Sequence, residues 1–342
     1  TTQSGVMDAY ADYQKSYSAD QSVDGVADQW NQPLRGNFNQ LKKLKSSNPQ
    51  LRTLISVGGW TWSDKFSNAA LTATSREKFA RSCVAFMRQY GFDGIDIDWE
   101  YPVDGGAPGR PADKQNYTLL LQELRRQLNA AETTDNRTDY LLTIAAPSGA
   151  SIVDHIEVSK VADSLDWINI MSYDMNGSWS QRTNFNSPLK GVAADPERRE
   201  GFNITDVVDN YLSKGVAPAK LVVGVPFYGR SFRGVGNSNN GLFQTFSGTG
   251  PGTWEDGMLD YHDIVAKYLP TYTRTWNAEA GVPSLYNPQS GVFISYDDPQ
   301  SIELKGKFVK DRGLGGTMIW ELSSDTNGGA LITALQRGLN GG

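Results

Sequence analysis

The chain of 342 residues has a single cysteine, Cys83, so no disulfide can form within it. The apolar residues that follow it, from Val84 to Met87, mark its thiol as a core group. Histidine is almost as scarce. His155 and His262 are far apart and neither has a metal-ligand spacing, so both read as surface or hydrogen-bonded residues. No apolar run approaches the ~18 residues of a membrane-crossing helix. Positive charge is in deficit, with 32 Lys and Arg against 38 Asp and Glu and a net charge of -6. A polyanionic partner needs a basic surface, so nucleic acid is not an expected partner, and neither is a membrane. A glycine-rich phosphate loop of the G-x-G-x-x-G or Walker type is also missing.

The informative stretch is 92–101, FDGIDIDWEY. Alternate side chains of a β-strand share a face, so Asp96, Asp98 and Glu100 fall on one side. Ile95, Ile97 and Trp99 take the other, with Trp99 packed under a helix. Three carboxylates in a row make a poor core, because buried charge is costly unless paired or neutralised. So apolar a reverse face is equally odd for a solvated edge strand. The stretch therefore reads as a strand whose polar face lines a site.

Glu100 is the last of the three and the nearest to the strand's C-terminal end. Carboxylates this close titrate as a coupled set. Repulsion raises one pKa of the Asp98–Glu100 pair, and Asp96 can share a proton with Asp98. The three could also bind Mg²⁺ or Mn²⁺ through oxygen, but no supporting ligand is visible, so neither a metal nor a cofactor is expected. Asp93 has the opposite parity and reads as structural, holding a neighbouring loop.

Strands and helices alternate along the rest of the chain. Besides the acidic strand, main strands are expected over 51–57, 140–146, 167–173, 221–226 and 314–320, with a short one over 293–296. Helices are expected over 75–90, 113–133, 153–162, 204–214, 299–311 and 330–339. The first 46 residues hold no convincing strand: MDAYADYQKSY reads as a loop or short helix, and 38–45 as a helix end. Residues 102–111 form a Gly/Pro-rich loop, and 231–291 break the rhythm.

Such alternation implies βα units and a parallel sheet. Ser56, Glu100, Tyr173, Tyr228 and Trp320 fall at strand ends, where a (β/α)8 barrel builds its site. An open doubly wound sheet competes but lacks its phosphate loop. The expected fold is α/β, a (β/α)8 TIM barrel, although six main strands are found where eight are needed.

These residues together resemble glycoside hydrolase family 18, the chitinases. The D-x-x-D-x-D-x-E motif of that family is matched by Asp93, Asp96, Asp98 and Glu100. Its S-x-G-G motif is matched by Ser56, Gly58 and Gly59, and its M-x-Y-D signature by Met171, Tyr173 and Asp174. Tyr228, Gly229 and Arg230 match the Y-G-R after the seventh strand, and Trp320 the tryptophan that ends the eighth. The motifs come in family order and span residue 51 to the C-terminus.

The resemblance implies two further strands before Met7, since MDAYADYQ resembles the loop after the second. The chain is therefore expected to lack barrel strands one and two, as a truncated or partial product would. It divides into a barrel over 1–230, a small α+β insertion over 231–291, and the end of the barrel over 292–342. Trp254 and Trp276 are expected in a small core of the insertion.

The resemblance also implies a substrate-assisted mechanism with retention. The substrate's acetamido oxygen attacks the anomeric carbon while Glu100 protonates the leaving oxygen. Asp98 then binds the acetamido N–H and stabilises the oxazolinium ion. Tyr173 hydrogen-bonds the acetamido oxygen, Asp96 tunes Asp98, and Ser56 hydrogen-bonds the Asp96 side of the cluster. Trp320 would form the floor under the distorted sugar, or else be a core residue. Trp60 and Trp179 would stack on flanking sugars, or merely anchor loops. Met171 and Asp174 belong to their signature; Tyr228 and Arg230 either reach sugar hydroxyls or brace the insertion.

Chitin or a chitooligosaccharide is then the expected partner of a secreted monomer. Sequons at Asn116, Asn136, Asn176 and Asn203 would matter only in a eukaryotic secretory pathway. A lectin on the same barrel, an inactive fragment, and an endo-β-N-acetylglucosaminidase acting on N-glycans are the alternatives. The retained Glu100 argues against a lectin, and the insertion and tryptophans argue against N-glycans.

Overall fold

The computed structural model describes residues 8–104, 109–199 and 201–341. Part of the 102–111 loop thus lies outside the described residues. The chain divides into two compact units, Thr1–Ile144 with Asp163–Asp166, and Ala145–Ala162 with Trp167–Gly342.

In the first unit the elements run α1 (Gly36–Ser47), β1 (Leu54–Gly58), α2 (Phe66–Ala70), α3 (Ala73–Tyr90), β2 (Gly94–Asp98), α4 (Asp113–Asp135) and β3 (Leu141–Ala146). Strands β1, β2 and β3 pair in parallel, with Leu54 opposite Gly94 and Gly94 opposite Leu141. A Cβ at Gly94 would lie 2.4 Å from the Leu141 carbonyl oxygen, so only glycine allows the strands this approach. Among the described residues no strand precedes Leu54.

Helix α3 starts at a capping box in which Thr72 and Ser75 exchange side chain-to-backbone bonds, and it stops at Gly91 in the left-handed region. Its buried stripe is Phe79, Ala80, Cys83, Val84 and Met87. Burial pushes the Cys83 thiol up to about 12, so it stays protonated and inert. Helix α4 buries Leu120, Leu121, Leu124 and Leu128.

In the second unit α5 (Ala150–Val153) and α6 (Val158–Ser164) replace the single helix expected there. Strand β4 (Trp167–Ile170) is followed by α7 (Ile204–Ser213) and β5 (Leu221–Pro226). Then come β6 (Tyr228–Arg233), β7 (Gly248–Thr249), β8 (Met258–Asp260), α8 (Tyr261–Asp263), β9 (Thr273–Asn277), β10 (Val282–Asn287) and β11 (Val292–Ser295). Helix α9 (Pro299–Asp311), β12 (Gly316–Trp320) and α10 (Ala330–Asn340) complete it.

Strand β5 pairs in parallel with β4 on one side and β12 on the other. A separate antiparallel sheet has the order β7-β6-β11-β10-β9, with β8 also on β6. Its core is built from Phe185, Phe232, Tyr286 and Phe293 rather than from tryptophan. Trp254 is 85% exposed, its indole N–H donating to Asp260 at 3.0 Å, and Trp276 is only half-buried. Polar anchoring of the indole in the loop between β7 and β8 overrides its apolar character.

Strand β4 also ends three residues earlier than expected. The Ser172 amide bonds back to the Ile170 carbonyl, so the chain turns there and Tyr173 and Asp174 occupy a bend rather than a strand. Among the described residues no helix is long and apolar enough to cross a membrane.

Candidate active site

The register of the first unit decides what faces the acidic run. Ser56 of β1 and Thr143 of β3 lie on either side of Asp96. The Ser56 hydroxyl donates to Asp96 Oδ2 at 2.8 Å and the Thr143 hydroxyl to Oδ1 at 2.5 Å. Both carboxyl oxygens of Asp96 thus accept a hydroxyl from a neighbouring strand. Asp98 Oδ1 is buried without a hydrogen-bond partner. Burial first, then the charges of Glu100 and Asp96, push the Asp98 carboxyl up to about 8. At neutral pH Asp98 therefore holds a proton between two other acids.

The backbone at the strand end is drawn close to the turn after β1. Gly58 and Gly59 have φ of 122° and 99°, and a Cβ on Gly58 would sit 2.0 Å from the Asp98 carbonyl oxygen. The Gly59 amide donates to that oxygen at 2.8 Å. Ser63, 2% exposed, donates its hydroxyl to the Gly59 carbonyl at 2.9 Å and accepts the Glu100 amide at 2.9 Å.

Neither Ser63 nor Thr143 was read from the sequence as part of the site. Thr143 had a signal, a lone hydroxyl in the apolar run LLTIAA. The same turn leaves Trp60 76% and Trp62 52% exposed.

The other face of β2 is occupied as expected. Trp99 is buried, stacked on Phe66 with ring centroids 5.3 Å apart and edge-on to Tyr117. Asp93 is buried too, in contact with Lys45 at 2.6 Å, Arg137 at 3.2 Å and the Thr53 amide at 2.9 Å. Burial alone would raise its pKa; these donors more than offset that and hold it below the ordinary carboxylate value.

A second group of residues is built on the bend after β4. The Ser172 hydroxyl donates to the Gly224 carbonyl at 2.7 Å. Tyr173 is buried, its ring edge-on to Tyr228 and its hydroxyl 3.6 Å from Met318 Sδ. A Cβ on Gly224 would lie 2.9 Å from the Tyr173 ring, so the glycine makes room for it. Met171 is half-buried and donates its amide to the Ala146 carbonyl.

Asp174 has a positive φ of 56°, and its Oδ1 accepts from the Tyr228 hydroxyl at 2.7 Å and from Arg230 Nε at 2.8 Å. Burial and the Asp174 charge raise the Tyr228 pKa well above its usual range, so the phenol remains a donor. The Arg230 guanidinium also lies 5.2 Å from the centre of the Trp179 ring. Trp179 and Trp320 are 59% and 51% exposed, and neither is a core residue.

The first group offers a protonated carboxyl beside a second acid, which suits general acid–base work. The second offers a phenol, a braced carboxylate and open indole faces, which suit an uncharged polyhydroxyl ligand. Among the described residues no cluster of His, Cys, Asp or Glu is placed to hold a metal ion.

The chain matches the model of Glycosyl hydrolases family 18 over residues 4–325. It is 50% identical over 312 residues to Chitinase A1 of Niallia circulans, an alignment covering 88% of this chain and 44% of that protein. It is similar to the structure of chitinase ChiA74 from Bacillus thuringiensis, with a TM-score of 0.89 and 41% identity, covering 100% of this chain and 58% of that one. The catalytic domain of psychrophilic chitinase B from Arthrobacter TAD20 gives 0.88 and 34%, covering 98% and 80%. The chain thus spans about half the length of the first two of these relatives. The fold it shares with them is of the α/β (β/α)8 TIM-barrel type with a second, inserted sheet.

Proposed function

Because this chain belongs to glycosyl hydrolase family 18, we propose that it is a chitinase. It hydrolyses β-1,4-linked N-acetylglucosamine with retention, by substrate-assisted catalysis outside the cell. The observation that carries this reading is the state of Asp98, with its raised pKa and a buried oxygen that has no partner. That oxygen is available to a donor on the substrate, and the acetamido N–H of N-acetylglucosamine is one.

In the proposed reaction the acetamido oxygen attacks the anomeric carbon as the glycosidic bond breaks. Glu100 gives its proton to the leaving oxygen. Asp98 accepts the acetamido N–H on its free oxygen and shares its proton with Asp96, so that the negative charge of the pair stabilises the oxazolinium ion; Ser56 and Thr143 hold Asp96 in place. The Tyr173 hydroxyl aligns the acetamido oxygen. Glu100, now a carboxylate, takes a proton from the water that opens the intermediate.

Trp320 supports the distorted sugar, and Trp60 and Trp179 stack on its neighbours. Tyr228 and Arg230 act through Asp174, to which both are bonded.

The test is hydrolysis of chitotetraose with the product anomers followed by NMR. Initial release of β-anomer at the new reducing end is expected. Glu100→Gln should abolish turnover and keep chitooligosaccharide binding, and near-normal turnover in that variant would overturn the mechanism. Binding without hydrolysis by the unsubstituted chain would instead identify a lectin.

A further inference from the structure

Lys305 is fully buried in the middle of α9, and none of the chemistry above uses it. Its ammonium lies 2.6 Å from Asp297 Oδ1, and the Ser301 hydroxyl donates to the same oxygen at 2.7 Å. Burial lowers the Lys305 pKa and raises that of Asp297, so the pair sits where charge is costly. A packed apolar pair would stabilise such a position at least as well. What the lysine adds is a hydrogen bond that no apolar residue can make, from Nζ to Ser187 Oγ at 3.0 Å.

That bond sets the direction of the Ser187 proton. With its oxygen occupied as an acceptor, the Ser187 hydroxyl donates to the Ser172 carbonyl at 2.6 Å. The next residue back in the chain, Asn186, accepts the Asp174 amide on its Oδ1 at 2.9 Å. The Asn186 amide is in turn anchored on the Ser295 hydroxyl at 2.7 Å. The Ser172 carbonyl and the Asp174 amide belong to the two peptide bonds that flank Tyr173. Neighbouring residues therefore grip the backbone of Tyr173 from both sides, at a bend where no strand pairing can do so.

We propose that Lys305 and Ser187 form a positioning relay that holds Tyr173 in place for the reaction. The inference rests on the function proposed above. The relay touches no substrate and works only through the backbone on either side of Tyr173.

Ser187→Ala tests it, because it removes the link and leaves the Lys305–Asp297 pair intact. Exchange of the Asp174 amide proton, read by NMR without substrate, should be about tenfold faster. With chitotetraose, kcat should fall by roughly 10- to 100-fold, as a sub-ångström misplacement can cause, while KM stays within about twofold. Lys305→Met should lower kcat in the same way if the variant folds.

Unchanged exchange in Ser187→Ala overturns the relay whatever the turnover. Faster exchange with unchanged kcat, or a loss expressed in KM alone, overturns its link to the reaction. An unsubstituted chain that cleaves no chitotetraose refutes the proposed function instead, and the exchange measurement still decides whether the grip exists.

Discussion

The Ser63 hydroxyl accepts the Glu100 amide at 2.9 Å and donates to the Gly59 carbonyl at the same distance. One oxygen thus fastens the turn after β1 to the end of the acidic run. Glu100 lies just beyond the last paired residue of β2, where the ladder no longer holds the backbone.

Ser63→Ala should leave that amide unsatisfied, at a cost of about 1–3 kcal/mol in stability. It should also lower kcat on chitotetraose by about tenfold, since the proton donor loses its anchor. Thermal unfolding and steady-state kinetics check both, and an unchanged kcat would mean that Glu100 is held elsewhere.

Asp98 makes stability depend on pH with an unusual sign. The unfolded chain releases this proton near the ordinary aspartate value of 3.8 and the folded chain at about 8. Between those values the folded state binds the extra proton, so stability is greatest at the acid end of the window and declines as pH rises through it. Asp98→Asn should remove that decline, which unfolding midpoints at pH 5 and pH 8 would reveal. The same variant should lose roughly 10²–10³-fold in turnover.

Asp93 should separate stability from chemistry. Asp93→Ala removes the carboxylate that Lys45 and Arg137 share and exposes the Thr53 amide to an empty acceptor site. Both cations keep some solvent contact, so the expected loss is about 2–3 kcal/mol rather than that of a wholly buried pair. Turnover at a temperature well below unfolding should stay within about twofold of the parent. A large fall in kcat without a shift in the midpoint would contradict the structural role.

Trp60→Ala distinguishes a stacking platform from a loop anchor. The side chain is 76% exposed, so its removal should change stability by less than about 0.5 kcal/mol. Binding of chitooligosaccharides should weaken by about 0.5–1.5 kcal/mol, the worth of one aromatic contact. Calorimetric titration and a denaturant melt give the two numbers, and a destabilised variant with normal binding would favour the anchor.

The legible parts of this molecule were those governed by local rules. Alternation in a strand was enough to separate Asp96, Asp98 and Glu100 from Asp93 and Trp99. Helix α9 was expected over its observed span, 299–311, and the structure shows why so local a reading suffices: Asp298, Pro299 and Ser301 write its cap into four residues.

Register and long-range contact were not legible. Thr143 reaches Asp96 only because β3 pairs with β2 in one particular offset. Tyr228 and Arg230 could be read as sugar ligands or braces with equal right, and their bonds to Asp174 cross 54 and 56 residues of chain. Trp254 was misread because residue type signalled burial while the loop geometry held the indole outward on Asp260. The early end of β4 came from a backbone bond to Ile170 that no side-chain pattern announces.

The burial of Trp99 gives the molecule a built-in optical probe. A water-borne quencher can reach Trp30, Trp60, Trp62, Trp179, Trp254 and Trp320, all more than half exposed, but not Trp99 at 1%. Its indole lies against Phe66 and Tyr117 in an apolar setting, so its emission falls at the blue edge of the spectrum. Trp167 and Trp276 are partly exposed, so the fluorescence most resistant to quenching reports on Trp99, between Asp98 and Glu100. A red shift in that component would signal that the acidic strand has come loose, with no label attached and no substrate added.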